Sequence, residues 1–241
     1  MIESFLETAK NYSFFDIFSN SISNTGILQK KSDIGIDWTY AMMHLFVQRI
    51  VVDLLDGKSR KSLLDVGSMF SFVSFASTFY DVTYLEPRIS NLVIDLPGVC
   101  KISGFKGEAQ SLAFSDGQFN VVTSLHAIEH FGLGRYGDEI DYFGDYKGVI
   151  EFARVLSSGG ALVTAVPTAI SSRLEFNSQR VYAPEDFDRI ISAAGLKKEF
   201  GLIVYPPGHH PSGIVAGDTK TLEYFPVTNT PPVYICVSRK P

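Results

Sequence analysis

From residue 62 onwards, short apolar runs alternate with segments of helical period, and that alternation limits the chain to few architectures. Runs at 62–66, 82–85, 99–102, 119–123, 161–166, 198–205 and 233–237 have strand length and are rich in β-branched and aromatic residues. Between them the pattern predicts helices over 69–79, 141–156 and 184–194. Pro184 opens the last helix, Gly195 stops it, and Ser157-Ser158-Gly159-Gly160 reads as the stop of the middle one. A further helix is predicted over 37–55, capped by Asp37 and followed by Gly57. His44 within it reads as a packed or partly exposed helix residue. Regular alternation of this kind argues for an α/β, doubly wound, mostly parallel sheet of seven strands with helices on both faces. Residues 1–57 read as an N-terminal helical extension, with a short amphipathic helix over 2–10, and 58–241 as the main domain.

Composition narrows the partners. The formal charge of −5 argues against nucleic acid, whose phosphates attract a basic surface. No cationic-then-apolar leader opens the sequence and no apolar run reaches the ~18 residues of a membrane span, so a cytoplasmic protein is expected. Cys100 and Cys236 lie in apolar strand-like runs and read as reduced, buried thiols. The 19 Phe and 11 Tyr are enough to line a pocket or a subunit interface as well as the core, and a homodimer is one expectation.

The ends of the strand runs carry the chemistry. The first run closes as Leu64-Asp65-Val66-Gly67-Ser68; a glycine there lets the backbone turn sharply and approach a ligand. About twenty residues later the second run ends in Glu86, where an acidic side chain can grip both hydroxyls of a ribose. Gly107-Glu108-Ala109 follows the third run, and Asp116-Gly117 with Phe119-Asn120-Val121-Val122 leads into the fourth. Arg154-Val155-Leu156-Ser157-Ser158-Gly159-Gly160 ends the long helix.

This ordered series, over about residues 60–205, resembles the class I S-adenosylmethionine-dependent methyltransferases, and within them the methyltransferase type 11 group. The resemblance implies a Rossmann-like methyltransferase sheet and S-adenosylmethionine as cofactor. In its terms Asp65, Gly67 and Ser68 meet the methionine part, Glu86 the ribose, and Glu108 and Ala109 the adenine, with Leu125 completing the cofactor set. Two departures stand out: Met69 occupies the place of the family's second glycine, and Asn120 that of an aspartate.

Beyond the fourth strand, His126, Glu129 and His130 fall at i, i+3 and i+4, on one face if the piece is helical. Three readings stay open. One histidine, His130 first, acts as a general base, a task suited to imidazole near neutral pH; the cluster holds a divalent metal; or Glu129 and His130 pin the loop. The same letters match an inverted zinc-peptidase motif, but Gly132 and Gly134 break any long helix here. Arg135 and Tyr136, in the glycine-rich loop before the long helix, are candidate acceptor contacts. So are Arg180 and Tyr182 after the fifth strand, beside Asn177, and His209 in the proline-rich connection 206–232, with His210 next to it.

The expected activity is therefore O-methylation of a small hydroxylated metabolite, such as a sugar or glycan precursor. The rival from another class is a non-catalytic binding or assembly protein on the same fold, which Met69 favours. A nicotinamide dehydrogenase would need a fuller Gly-x-Gly-x-x-Gly turn than the sequence has.

Overall fold

The computed structural model describes residues 38–55, 60–89, 92–175, 178–206, 216–224 and 231–241. The expectations placed on 2–10, Asp37, Gly57, Asn177, His209 and His210 lie outside them. In chain order the elements are α1 (Trp38–Asp53), β1 (Lys61–Val66), α2 (Phe70–Ala76), β2 (Tyr80–Leu85), β3 (Leu92–Leu96), β4 (Cys100–Phe105) and β5 (Phe119–Leu125). Then follow α3 (Gly144–Val155), β6 (Leu156–Pro167), β7 (Arg173–Glu175), β8 (Gln179–Val181), α4 (Pro184–Ala193), β9 (Lys197–Val204), β10 (Ala216–Gly217) and β11 (Val233–Arg239). Two 3-10 turns complete the set, Ile128–His130 and Thr219–Tyr224.

The main sheet has nine strands in the order β10-β9-β11-β6-β5-β1-β2-β4-β3, not seven. The additional strands are the two edges, β3 antiparallel to β4 and β10 antiparallel to β9. Inside them lie the seven expected strands: β4, β2, β1, β5 and β6 are parallel neighbours, and β11 runs antiparallel between β6 and β9. From β1 the chain steps outward through β2 to β4 and returns to β5 on the other side of β1. This reversal opens a crevice at the carboxyl ends of β1 and β5.

Helices cover both faces. α1 and α2 pack Met43, Val47, Ile50, Phe72 and Val73 onto one face with Leu63, Val121 and Val163. α3 and α4 pack Val149, Phe152, Phe187 and Ile191 onto the other with Leu64, Val122 and Leu162. Alternate residues of each central strand thus enter opposite cores, as strand geometry requires. α4 starts at Pro184 with Glu185 and Asp186 in its first turn, a sequence suited to the positive end of a helix.

The helical boundaries differ from expectation where tertiary bonds intervene. α3 begins at Gly144, because the Asp141 carboxylate accepts the Phe143 N–H and turns the chain before it. Ser157–Gly160 is no loop. It lies within β6, as a bulge between the Phe119–Leu156 and Val121–Ala161 pairs, held by bonds between Gly159, Gly160 and Lys240. Arg154 explains the recognisable segment at the end of α3: its guanidinium donates to Leu112 O, Phe114 O, Asp116 and Glu151, fixing the approach to β5. Both cysteines are free thiols, Cys236 buried and Cys100 half-buried. No helix among the described residues is long and apolar enough to cross a membrane.

The loop between the Ile128–His130 turn and α3 is not the flexible stretch its glycines suggest. Asp138 accepts N–H bonds from Gly132 and Tyr136, and Gly132 packs against Gly144 so closely that a Cβ on it would lie 2.1 Å from Asp141 O. With φ at +73° as well, Gly132 has no tolerant substitution. Gly132→Ala is expected to cost about 2 kcal/mol or more, read as a lower urea midpoint with an unchanged slope.

Candidate active site

Four strand ends surround a cavity of about 480 Å³ at the switch point. β1 supplies Val66 and Gly67, β2 Leu85–Arg88, the segment after β4 Lys106–Gln110, and the segment after β5 His126, Ala127, His130, Phe131 and Tyr136–Asp138. The volume and placement suit a small-molecule site of an open α/β sheet.

The turn after β1 is built around a buried carboxylate. Asp65 has no exposed surface; it accepts the Ser68 N–H at 3.1 Å, the Ser68 hydroxyl at 2.7 Å and the Thr123 hydroxyl of β5 at 2.6 Å. Ser68 Oγ in turn accepts the Leu125 N–H. Asp65 and Leu125 therefore hold the turn from behind and do not line the cavity, while Gly67 does. Gly67 has φ +76°, and a Cβ on it would lie 2.8 Å from Ala127 Cβ. Burial pushes the Asp65 carboxyl up to about 6 despite its donors.

At the end of β2, Glu86 is 3% exposed, and both its oxygens are engaged. Arg88 donates its Nε and its backbone N–H to Oε1 and its Nη2 to Oε2 at 2.9 Å, and Tyr84 OH lies 3.4 Å from Oε2. Burial raises the Glu86 pKa, but the Arg88 bonds outweigh it and hold the carboxyl below its ordinary range. Glu108 and Ala109 line the cavity from the segment after β4. Met69 does not. It is 54% exposed and borders a smaller depression of about 330 Å³ beside the cavity, so it does not crowd the loop where a glycine was expected. Asn120 lies at the opposite end of β5 and binds Ser62, tying β5 to β1 there.

His126, Glu129 and His130 come together on the wall after β5. Glu129 is buried and accepts His126 Nδ1–H at 2.9 Å on Oε1, while its Oε2 finds no donor among the described residues. A carboxylate can only accept, so in the neutral ring the proton sits on Nδ1 and His126 Nε2 is the basic atom. His130 donates Nδ1–H to Ser178 O at 2.8 Å, which likewise leaves Nε2 as its base; that atom is 3.9 Å from Glu129 Oε1, too far for a hydrogen bond. Burial, the leading cause, lowers the His130 pKa and keeps the ring neutral. His126 has φ +56°, rare for a residue with a side chain. Among the described residues no group of three or more His, Cys, Asp or Glu side chains is arranged to hold a metal ion, and His130 Nδ1 is engaged by Ser178 O.

Tyr136 is half-exposed, its ring edge-on to His130 at 5.7 Å and flanked by the guanidiniums of Arg88 at 5.3 Å and Arg135 at 5.6 Å. Arg180 and Tyr182, candidates for acceptor contact, are buried instead. Arg180 donates to Phe131 O and Tyr142 O, and Tyr182 OH to Asp145. Both are turned to the start of α3, where Asp145 pairs with the Arg180 guanidinium and accepts the Tyr182 hydroxyl. Sequence reasoning missed Arg88, Lys106 and Tyr84. The signal for Arg88 was its place two residues after the acidic strand end, within reach of Glu86.

Among solved structures the chain has many likenesses. One is to the N-methyltransferase NodS from Bradyrhizobium japonicum: 11% identity, TM-score 0.56, 84% of this chain and 97% of that one. Another is to the [4+2]-cyclase SpnF: 14% identity, TM-score 0.58, 97% and 96%. A third is to a SAM-dependent methyltransferase from Methanosarcina mazei: 12% identity, TM-score 0.52, 79% and 96%. The chain therefore has the class I methyltransferase fold. A family profile described as a Caenorhabditis protein of unknown function, DUF268, matches residues 102–193, which run from β4 to the end of α4. No curated protein matches the chain.

The Asp65 network generates a pH test. The folded carboxyl titrates near 6 against an ordinary 3.8, so folding favours the protonated form. That contribution is fully present below pH 3.8 and is lost as pH rises through about 6. Relative to Asp65→Asn, the natural protein should lose about 2–3 kcal/mol of unfolding free energy across that window, measured from urea midpoints at several pH values.

Proposed function

We propose that the protein is an S-adenosylmethionine-dependent methyltransferase acting on the hydroxyl oxygen of a small acceptor. The observation that carries this reading is a neutral imidazole, His130, fixed through its Nδ1 on Ser178 O and set in the wall of a switch-point cavity whose other walls suit a nucleoside. A fit to the cofactor is supported by the Gly67 turn, where no Cβ fits and the backbone can approach a ligand, and by the buried Glu86 carboxylate at the end of β2. Gly67 would hold the methionine end, Glu86 the ribose, and Glu108 and Ala109 the adenine, with Asp65, Ser68 and Leu125 bracing the turn. When bound, the cofactor supplies an already electrophilic methyl group.

The chain's own work is then alignment and proton removal. His130 Nε2 takes the acceptor's hydroxyl proton, and the bond from its Nδ1–H to Ser178 O holds the ring in the tautomer that leaves Nε2 basic. The buried Glu129 carboxylate, 3.9 Å from that nitrogen, stabilises the imidazolium that forms. His126, whose Nε2 is buried, is a positioning residue: its Nδ1–H holds the Glu129 carboxylate behind His130. Phe131 and Tyr136 supply the apolar and aromatic surface that keeps water from the hydroxyl. The positive φ of His126 is consistent with a side chain retained for use at a strained position.

Calorimetry with S-adenosylhomocysteine tests the first half of the reading. Binding in the micromolar range is expected, and no heat at millimolar ligand would remove it. With an acceptor found by screening hydroxylated metabolites against labelled cofactor, His130→Gln should lower turnover about 10²-fold or more while S-adenosylhomocysteine affinity holds. Unchanged turnover would take His130 out of the mechanism.

A further inference from the structure

Arg88 stands between the two ends of the cavity. Its guanidinium spans both oxygens of Glu86 on one side and lies over the Tyr136 ring on the other, where Arg135 approaches the same ring. Its side chain is 67% exposed, whereas that of Glu86 is 5% exposed, so the arginine is the partner able to move. A ribose diol reaches the Glu86 oxygens only by replacing those guanidinium donors. A carboxylate this buried stays charged only while donors surround it, so the exchange of one donor pair for another is the affordable route.

A displaced guanidinium would still have the Tyr136 ring as a partner. Tyr136 keeps it beside Arg135, whose Nη1 donates to Ser178 O, the same carbonyl that fixes His130. The nearest carboxylate of that loop, Asp138, already accepts the backbone N–H groups of Gly132 and Tyr136. Lys106 and Glu108, both from the segment after β4, balance each other in charge. Freeing Arg88 from Glu86 therefore leaves a pair of guanidiniums on one aromatic ring, next to the proposed base. Such a pair matches a planar or tetrahedral oxyanion.

We propose that Arg88 is a switch: occupation of Glu86 by the cofactor's ribose releases it to bind, with Arg135, an anionic group on the acceptor, a carboxylate or a phosphate. The acceptor is then an acidic hydroxylated metabolite, and it binds after the cofactor. The inference rests on the reading of Glu86 as the ribose carboxylate.

The test uses the full chain and the Nε–Hε NMR signals of Arg88 and Arg135, titrated at constant ionic strength with inorganic phosphate and, separately, with acetate. In the wild type, saturating S-adenosylhomocysteine should lower the anion concentration for half-maximal shift about tenfold or more. Glu86→Gln, which releases Arg88 without any ligand, should show the same gain unliganded, and Arg135→Gln should remove it. The stronger of the two anions tells carboxylate from phosphate. No gain in unliganded Glu86→Gln would overturn the proposal. If S-adenosylhomocysteine does not bind the wild type at all, the methyltransferase reading falls, and the Glu86→Gln titration still decides whether the two arginines form an anion site.

Discussion

The buried Asp65 carboxylate is the constraint on which the site depends. Its donors come from two strands that are far apart in sequence, Ser68 after β1 and Thr123 within β5, and Ser68 extends the chain of bonds to the Leu125 N–H. Those strands are the pair that diverge at the switch point, where sheet hydrogen bonding gives out: the β1–β5 pairing ends at Asp65–Thr123. Side-chain bonds take over where the ladder stops. Each bond to a charged acceptor contributes on the order of 1.5–3 kcal/mol, set against the cost of burying the charge, which shows in its raised pKa. The net gain is positional: Gly67 and His126 are held in fixed relation across the crevice.

The scaffold was legible because its signals are local. Apolar runs of strand length locate the seven central strands to within a few residues, and Pro184 and Gly195 bracket α4. β3, β10 and the β7–β8 hairpin escaped, since edge strands and short hairpins bury too little to leave a period; β3 exposes most of its LVIDL residues. For the site, the sequence places Gly67, Glu86, Glu108, Ala109, His126 and His130 at one end of the sheet, and the cavity gathers them. It could not tell lining from bracing. Asp65 and Leu125 differ from Gly67 only in which way a side chain or N–H points, and Arg180 and Tyr182 sit at the correct strand end but face the core. Tertiary bonds of this kind have no spacing rule.

The same distinction bears on the departures from the family pattern. A methionine where a glycine is usual looks prohibitive when written as a motif. In three dimensions the residue is the N-cap of α2 with φ −63° and ψ 139°, a conformation open to any side chain, and its side chain lies outside the cavity. The glycine that the geometry does demand is Gly67, where both the positive φ and the Ala127 contact forbid a Cβ. Asn120 likewise keeps the function that matters at its place, accepting from Ser62 to tie β1 to β5 at the end away from the site.

Gly67 and His126 thus face each other across the switch point as two left-handed residues, one a glycine and one not. For Gly67 the conformation is free of penalty; for His126 it costs roughly 1–2 kcal/mol. Its N–H is bonded to Ala165 O at 2.8 Å, which holds the last residues of β5 against β6 and forces the chain to turn at His126. The turn sends Ala127 under Gly67 and the Ile128–His130 turn beneath the cavity, so that Glu129 arrives within 2.9 Å of the His126 ring. A glycine at 126 would relieve the backbone, yet it would leave the Glu129 carboxylate, 1% exposed, without its one strong donor among the described residues. The strain and the buried pair are therefore one arrangement, since the backbone that sets the imidazole on its carboxylate is the backbone that a side chain at 126 disfavours.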